Sequence, residues 1–158
     1  PFSTKQASTR LDFNHGVIEL LWQIQRDIQT KANNTFNASG IQGQEPLEHC
    51  ELKLSGRSRF DKEAQYFRLV QPHIHHTNVP DTYVYSFSFS LHPEHHQPSG
   101  TCNFSRIDNI TLTVACAENG TSSQNTAFIS EGKTLHVYAR CWNVLKFSNG
   151  LGGVMYAN

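Results

Sequence analysis

Six of the nine histidines stand in two groups, His73, His75 and His76, then His92, His95 and His96 with Glu94 among them. Imidazole is the commonest metal ligand, and a catalytic zinc site takes three protein ligands and leaves one position open. The spacing of His73 and His75 would put two imidazoles on one face of an extended segment. A cupin-like sandwich could use such a set for metal chemistry. Glu94 is the only carboxylate within either group, however, and no strand nearby supplies a second well-spaced ligand. Histidines in turns, satisfied by backbone and water, account for the same spacing and demand less of the fold. The expectation is therefore no metal, no cofactor and no catalytic residue.

Other chemistry lacks its local anchors. No glycine-rich phosphate loop follows a strand and opens a helix, no Walker-type Lys and Ser/Thr pair is present, and no G-x-S-x-G turn offers a nucleophile. Ser130 and Glu131 have no local partner to make a triad. Arg106 and Asp108 could pair at a subunit edge, since the guanidinium fork matches a carboxylate. Turn support by Asp108 and Asn109, through backbone amides, is the plainer reading. Pro98, Ser99 and Gly100 read simply as a turn. Cys50, Cys102, Cys116 and Cys141 are widely spaced without a C-x-x-C; they allow two disulfides in three pairings, or four isolated thiols serving as small apolar residues in strands. Sequons start at Asn33, Asn37, Asn103, Asn109 and Asn119, and carry glycans only after passage through a secretory compartment.

The elements that hold these residues read as strands. Leu20, Trp22 and Ile24 alternate within residues 17–28, where a helix through Ile18, Leu21 and Ile28 is the alternative and β-branched and aromatic residues favour the strand. Residues 30–48 form the longest loop. Residues 51–56 make a short strand ending at a glycine turn. Residues 62–70 suggest a brief helix stopped by Pro72. The clearest strand is 83–91, with Tyr83, Tyr85, Phe87 and Phe89 on one face and serines on the other, so one face is buried and the other meets polar surroundings. So broad an aromatic face calls for an opposing sheet. Ile107, Ile110, Leu112, Val114 and Cys116 form the next strand, with a phase change after Ile107. In 135–147 the alternation passes to the other face after Cys141, which suggests a bulge. Gly150, Gly152 and Gly153 predict a closely packed terminal turn. The fold class is all-β, a two-sheet sandwich or jelly roll.

Length and charge narrow the function. A chain of 158 residues suffices for one domain with a core. With zero net charge and 16% charged residues, it lacks the basic footprint of a nucleic-acid binder. No apolar run approaches the ~18 residues of a membrane span, and no leader is visible. The opening PFSTKQASTR looks like the middle of a longer polypeptide.

Several runs together resemble a known family. They are the Tyr85-Ser86-Phe87 strand, His92-Pro93-Glu94, the stretch QPSGTCNFSRIDN over residues 97–109, Asn143 to Phe147, and the GLGG ending followed by Tyr156, Ala157 and Asn158. Gly16 to Trp22, Gly56-Arg57, Tyr66-Phe67 and Val70-Gln71-Pro72 fit the same order. The chain resembles, from about Asp12 to its end, the C-terminal jelly roll of the major capsid protein of large nucleocytoplasmic double-stranded DNA viruses. The run Phe147 to Leu151, where relatives are often Met-rich, and the Asn-rich loop Thr30 to Glu48 depart from the family's wording.

The resemblance implies that residues 1–158 are the second roll of a double jelly-roll subunit, incomplete here, with the preceding roll absent. About five or six of a roll's eight strands can be placed from sequence. It further implies a non-enzymatic homotrimer, a pseudo-hexagonal capsomer touching neighbouring capsomers, minor capsid and penton proteins. Such capsomers tile an icosahedral virion shell, near an internal membrane without inserting into it and without direct nucleic-acid contact. Assembly would occur in the host cytoplasm, where thiols stay reduced. Carried over by position, Pro98, Ser99, Gly100, Asn103, Arg106, Asp108 and Asn109 shape the turn and strand entrance. Gly150, Gly152 and Gly153 shape the C-terminal turn and trimer contacts. The alternative remains a cupin-like metal-binding or carbohydrate-binding sandwich, with loop 30–48 as a conceivable glycan-attachment surface.

Overall fold

The computed structural model describes residues 1–117 and 130–156; the Asn119 sequon lies outside them. The strands are β1 (Gln6–Arg10), β2 (Gly16–Arg26), β3 (Leu47–Leu54), β4 (Arg57–Glu63), β5 (Tyr85–Ser88), β6 (Cys102–Asn103), β7 (Ile110–Cys116), β8 (Lys133–Trp142), β9 (Leu145–Ser148) and β10 (Leu151–Val154). Two short helices, α1 (Asp27–Lys31) and α2 (Gln71–His75), join them, and a π-helical turn, Tyr66–Val70, leads into α2. One sheet runs β1-β7-β3-β4, all antiparallel. In the second, β2 is central, with β8 along one side and β5 then β6 along the other. From β1 to β8 the chain passes back and forth between the two sheets, staying within one only from β3 to β4 and from β5 to β6, the wrapping of a jelly roll.

The core forms where the inner faces meet. In β7, Ile110, Leu112, Val114 and Cys116 are buried at alternate positions, as period two requires. Trp22 of β2 stacks near Tyr85 and meets Phe67 edge-on at 5.1 Å, while Phe60 of β4 lies 4.5 Å from Phe87. A bulge keeps β2 in phase. Val17 faces Cys141 and Glu19 faces Arg140, so Ile18 is the extra residue, and Val17, Leu20, Trp22 and Ile24 all reach the core. The bulge expected at Cys141 thus lies on the partner strand.

Three expectations need correction. The strand 83–91 forms a ladder only over Tyr85–Ser88, and both its faces are buried. Its serines are not at the surface. Ser88 N–H donates to Gln71 Oε1 at 3.1 Å, Ser88 Oγ donates to Ser90 O at 2.7 Å, and the Ser90 and Ser99 hydroxyls meet at 2.6 Å. Internal hydrogen bonds replace water at Ser88 and Ser90, whereas the Ser86 hydroxyl is buried without a partner among the described residues.

Second, the segment 62–70 is not one helix stopped by Pro72. Strand β4 continues to Glu63, and the helical run that follows does not stop at Pro72 but passes from the π-helical turn Tyr66–Val70 straight into α2, ending at His75. Third, of the C-terminal glycines only Gly150 lies in a turn. Asn149 and Gly150, with φ of 52° and 78°, make a two-residue hairpin turn, while Gly152 and Gly153 lie within β10.

Candidate functional site

Residues 98–109 fasten the exit of β5 to the entrance of β2. Ser99 Oγ accepts the His92 N–H at 2.8 Å, closing the histidine-rich turn. Gly100 then passes against the Phe89–Ser90 backbone. With φ of 151°, a Cβ there would lie 2.8 Å from Phe89 O, so only glycine fits. Asn103 caps the short helical turn after it by accepting Ser105 N–H at 3.1 Å. Ser105 Oγ accepts His15 N–H at 2.8 Å, and Phe104 N–H donates to His15 O at 3.0 Å, which locks the start of β2. Phe104 is buried and meets Phe89 edge-on at 5.7 Å. Asn109 accepts from Thr111 Oγ1 at 3.2 Å, and its carbonyl accepts Ser55 N–H at 2.7 Å, tying in the β3–β4 turn. Arg106 and Asp108 make no ion pair among the described residues; Asp108 contributes its carbonyl to Arg10 Nη2 at 3.2 Å. Pro98 is exposed at the rim of this turn.

Of the aromatic strand, Tyr85 and Phe87 are core residues, and Phe89 packs at its edge. Tyr83 lies before the ladder, its hydroxyl donating to Gly43 O at 2.6 Å. Tyr85 donates to Glu45 Oε1 at 2.5 Å, and Glu45 also accepts from Arg68 at 2.8 Å. Burial, then the bond to the Glu45 carboxylate, pushes the Tyr85 phenol far above its usual range. It is a fixed donor.

The histidines divide. His75, His76, His92, His95 and Glu94 line one shallow depression of about 200 Å³. There His75 Nδ1 meets Leu91 O at 3.1 Å, His92 and His95 stack at 5.0 Å, and Glu94 accepts from Thr77 N–H at 3.2 Å. Among the described residues, no three His, Cys, Asp or Glu side chains converge to hold a metal ion. The sequence reading missed the destination of His76: its Nε2 reaches the buried Glu19 at 2.8 Å, and Arg140 Nη1 meets the other Glu19 oxygen at 3.3 Å. A charged residue in the middle of an otherwise apolar strand was the available signal. The four thiols are free. Burial raises Cys50 well above the ordinary thiol value and Cys116 to about 11.

The C-terminal hairpin is the other candidate surface. Leu145, Phe147, Leu151, Val154 and Met155 are all more than half exposed. Asn143 anchors its base, with Nδ2 donating to Tyr156 O at 2.7 Å and Oδ1 accepting from Val144 and Tyr156 N–H groups. Phe147 lies over Gly152, where a Cβ would meet the ring at 2.9 Å, and Gly153 has nothing nearby. An apolar two-stranded arm of this kind has no core of its own.

The comparisons agree on one family. A family model described as "Large eukaryotic DNA virus major capsid protein" matches residues 1–153. The chain is 47% identical over 117 residues to the major capsid protein of Phaeocystis pouchetii virus, covering 73% of this chain and 21% of that protein. It is 35% identical to that of Pyramimonas orientalis virus, covering 94% of this chain and 38% of the relative. The solved PBCV-1 virus capsid superposes with a TM-score of 0.78 at 29% identity, over 99% of this chain and 47% of that one. The Faustovirus major capsid protein, at 13% identity and a TM-score of 0.65 over 87% of this chain and 32% of that one, shares the fold. The chain thus spans about a fifth to a half of the proteins it matches. With its jelly-roll fold and this match along nearly its whole length, the chain belongs to the family of large eukaryotic DNA virus major capsid proteins.

Proposed function

We propose that this chain is the second jelly roll of a major capsid subunit that trimerises into a pseudo-hexagonal capsomer and tiles an icosahedral virion shell. The observation that carries this reading is the family match over residues 1–153 together with superposition on about half of the PBCV-1 capsid chain. Half a chain is what one roll of two would occupy. The role is structural, with no reaction assigned. Its partners are two further copies, neighbouring capsomers, and minor capsid and penton proteins, with the internal membrane close by but not entered and the nucleic acid not touched. Four free thiols suit assembly in the reducing host cytoplasm.

Within this reading, the turn at Pro98, Ser99 and Gly100 and the segment Asn103 to Asn109, including Arg106 and Asp108, hold the roll's shape. The hairpin carrying Gly150, Gly152 and Gly153 supplies subunit contacts, supported by its exposed Leu145, Phe147 and Leu151. Light scattering of the full-length protein tests the proposal. Three copies per particle is the expected mass, and a monomer persisting at high concentration overturns it.

A further inference from the structure

One end of the second sheet carries a pocket that the structural role leaves without a task. Gly16 opens β2 between Asn103 of β6 on one side and Trp142 of β8 on the other. Cross-strand partners share a face, so the missing side chain at Gly16 leaves a gap between the other two. The indole leans into part of it: a Cβ on Gly16 would lie 2.5 Å from Trp142 Nε1. The remainder is a pocket of about 250 Å³, completed by His15, Thr101, Ser105 and Tyr156. Tyr156 meets Trp142 edge-on at 5.8 Å and lies 6.3 Å from the His15 ring, so three rings form one aromatic wall.

The other wall is polar and uncharged. Asn103 Oδ1 is taken by Ser105 N–H, and Ser105 Oγ accepts from His15 N–H. That leaves the Asn103 amide N–H groups, the Ser105 O–H, the Thr101 hydroxyl and Trp142 Nε1–H without protein partners among the described residues. No Asp, Glu, Lys or Arg is among the described residues that line the pocket. An anion would therefore find no cation here, and a hard cation no carboxylate. A purely apolar ligand would leave the four polar groups unpaired. The walls are also fixed in advance. Asn143 holds Tyr156 by its N–H and its carbonyl, and His15, at φ of 70°, is held by Phe104 and Ser105. Preorganised walls lose little freedom on binding.

We propose that this pocket binds a neutral sugar, as one pyranose ring with its C–H face on Trp142 and Tyr156 and its hydroxyls toward Thr101, Asn103 and Ser105. The electron-rich ring faces attract C–H groups, and the uncharged donors match hydroxyls without asking for a charge. Drug-sized sites run from about 300 Å³ upward, and this smaller one suits a single six-membered ring with its substituents. The site lies wholly within this chain and goes beyond the capsid reading.

Saturation-transfer NMR on the full-length protein tests it, with methyl glycosides of glucose, galactose, mannose and N-acetylglucosamine as probes. Made in bacteria, the protein carries no sugar on the Asn103 sequon, so the pocket stays open. At least one probe is expected to bind with a Kd on the order of 1 mM, the reach of one small ring. Trp142→Ala should weaken that probe roughly 10-fold and Thr101→Val about 5-fold, with the circular dichroism of the fold unchanged. The methyl glycosides of glucuronic acid and glucosamine, which add a negative and a positive charge, should bind no tighter than the neutral ones. Absence of transfer to all four neutral probes in folded protein overturns the proposal. So does binding that survives both substitutions, or that favours a charged sugar. If Trp142→Ala fails to fold, Thr101→Val, at an exposed position, decides alone.

Discussion

Gly100 and Gly153 separate a glycine that the fold requires from one that it tolerates. A Cβ on Gly100 would press on the Phe89 carbonyl from a backbone conformation that side chains rarely adopt, whereas Gly153 has open space around it. Gly100→Ala is expected to cost about 1–3 kcal/mol, and Gly153→Ala to leave the urea midpoint nearly unchanged. Equal shifts in the two midpoints would refute the distinction. The thiols give a second contrast. Cys50 and Cys116 are buried while Cys141 is exposed, so iodoacetamide should modify Cys141 in the native protein and the buried pair only after unfolding. Because burial raises the Cys116 thiol to about 11, the folded state holds that proton when the unfolded state has released it. The Cys116 contribution therefore makes stability fall from about pH 9 to pH 11. Cys116→Ala should flatten that part of the pH profile, read from thermal midpoints across the range.

At the scale of elements, period two made β2, β5 and β7 legible, because large apolar residues recur at alternate positions: Leu20, Trp22 and Ile24, then Tyr85 and Phe87, then Ile110, Leu112 and Val114. Strand β4 was not legible. RSRFDKE has only Phe60 to bury, and its place at a sheet edge leaves the rest in water. The buried serine face of β5 was also hidden, since its cover comes from α2, distant in sequence and invisible to a local pattern. The same long-range placement concealed the Glu19–His76–Arg140 cluster, although the turn at 98–100 was readable from its residue types. Gln71 shows what α2 does there. Its side chain is buried, accepts from Ser88 N–H and donates to Tyr66 Oη at 2.9 Å, standing in for the strand that β5 lacks on that edge. Gln71→Ala should leave a buried amide unpaired and cost about 1–3 kcal/mol. Amide exchange at Ser88 should accelerate more than at Phe87. An unaltered Ser88 rate would show that the helix covers β5 without bonding to it.

For the whole molecule, stability and assembly draw on different surfaces. The rings that hold the sheets together, Trp22, Phe60, Phe67 and Tyr85, are buried, so their truncation lowers folding stability whatever the oligomeric state. Phe147 is 76% exposed on the terminal hairpin, and a charge placed there meets water in an isolated subunit. If the hairpin docks on a neighbouring copy, the same charge enters an apolar interface without a partner, which costs several kcal/mol. Phe147→Asp in the full-length protein is therefore expected to leave the subunit's secondary structure and folding intact while shifting the mass by light scattering from trimer to monomer. Asn143→Ala should act in the same direction more weakly, because it loosens the base of the hairpin without removing its apolar side chains. A Phe147→Asp protein that still sediments as a trimer at micromolar concentration would place the subunit contacts elsewhere on the roll. A loss of folded signal at unchanged mass would instead show that the hairpin packs on its own subunit.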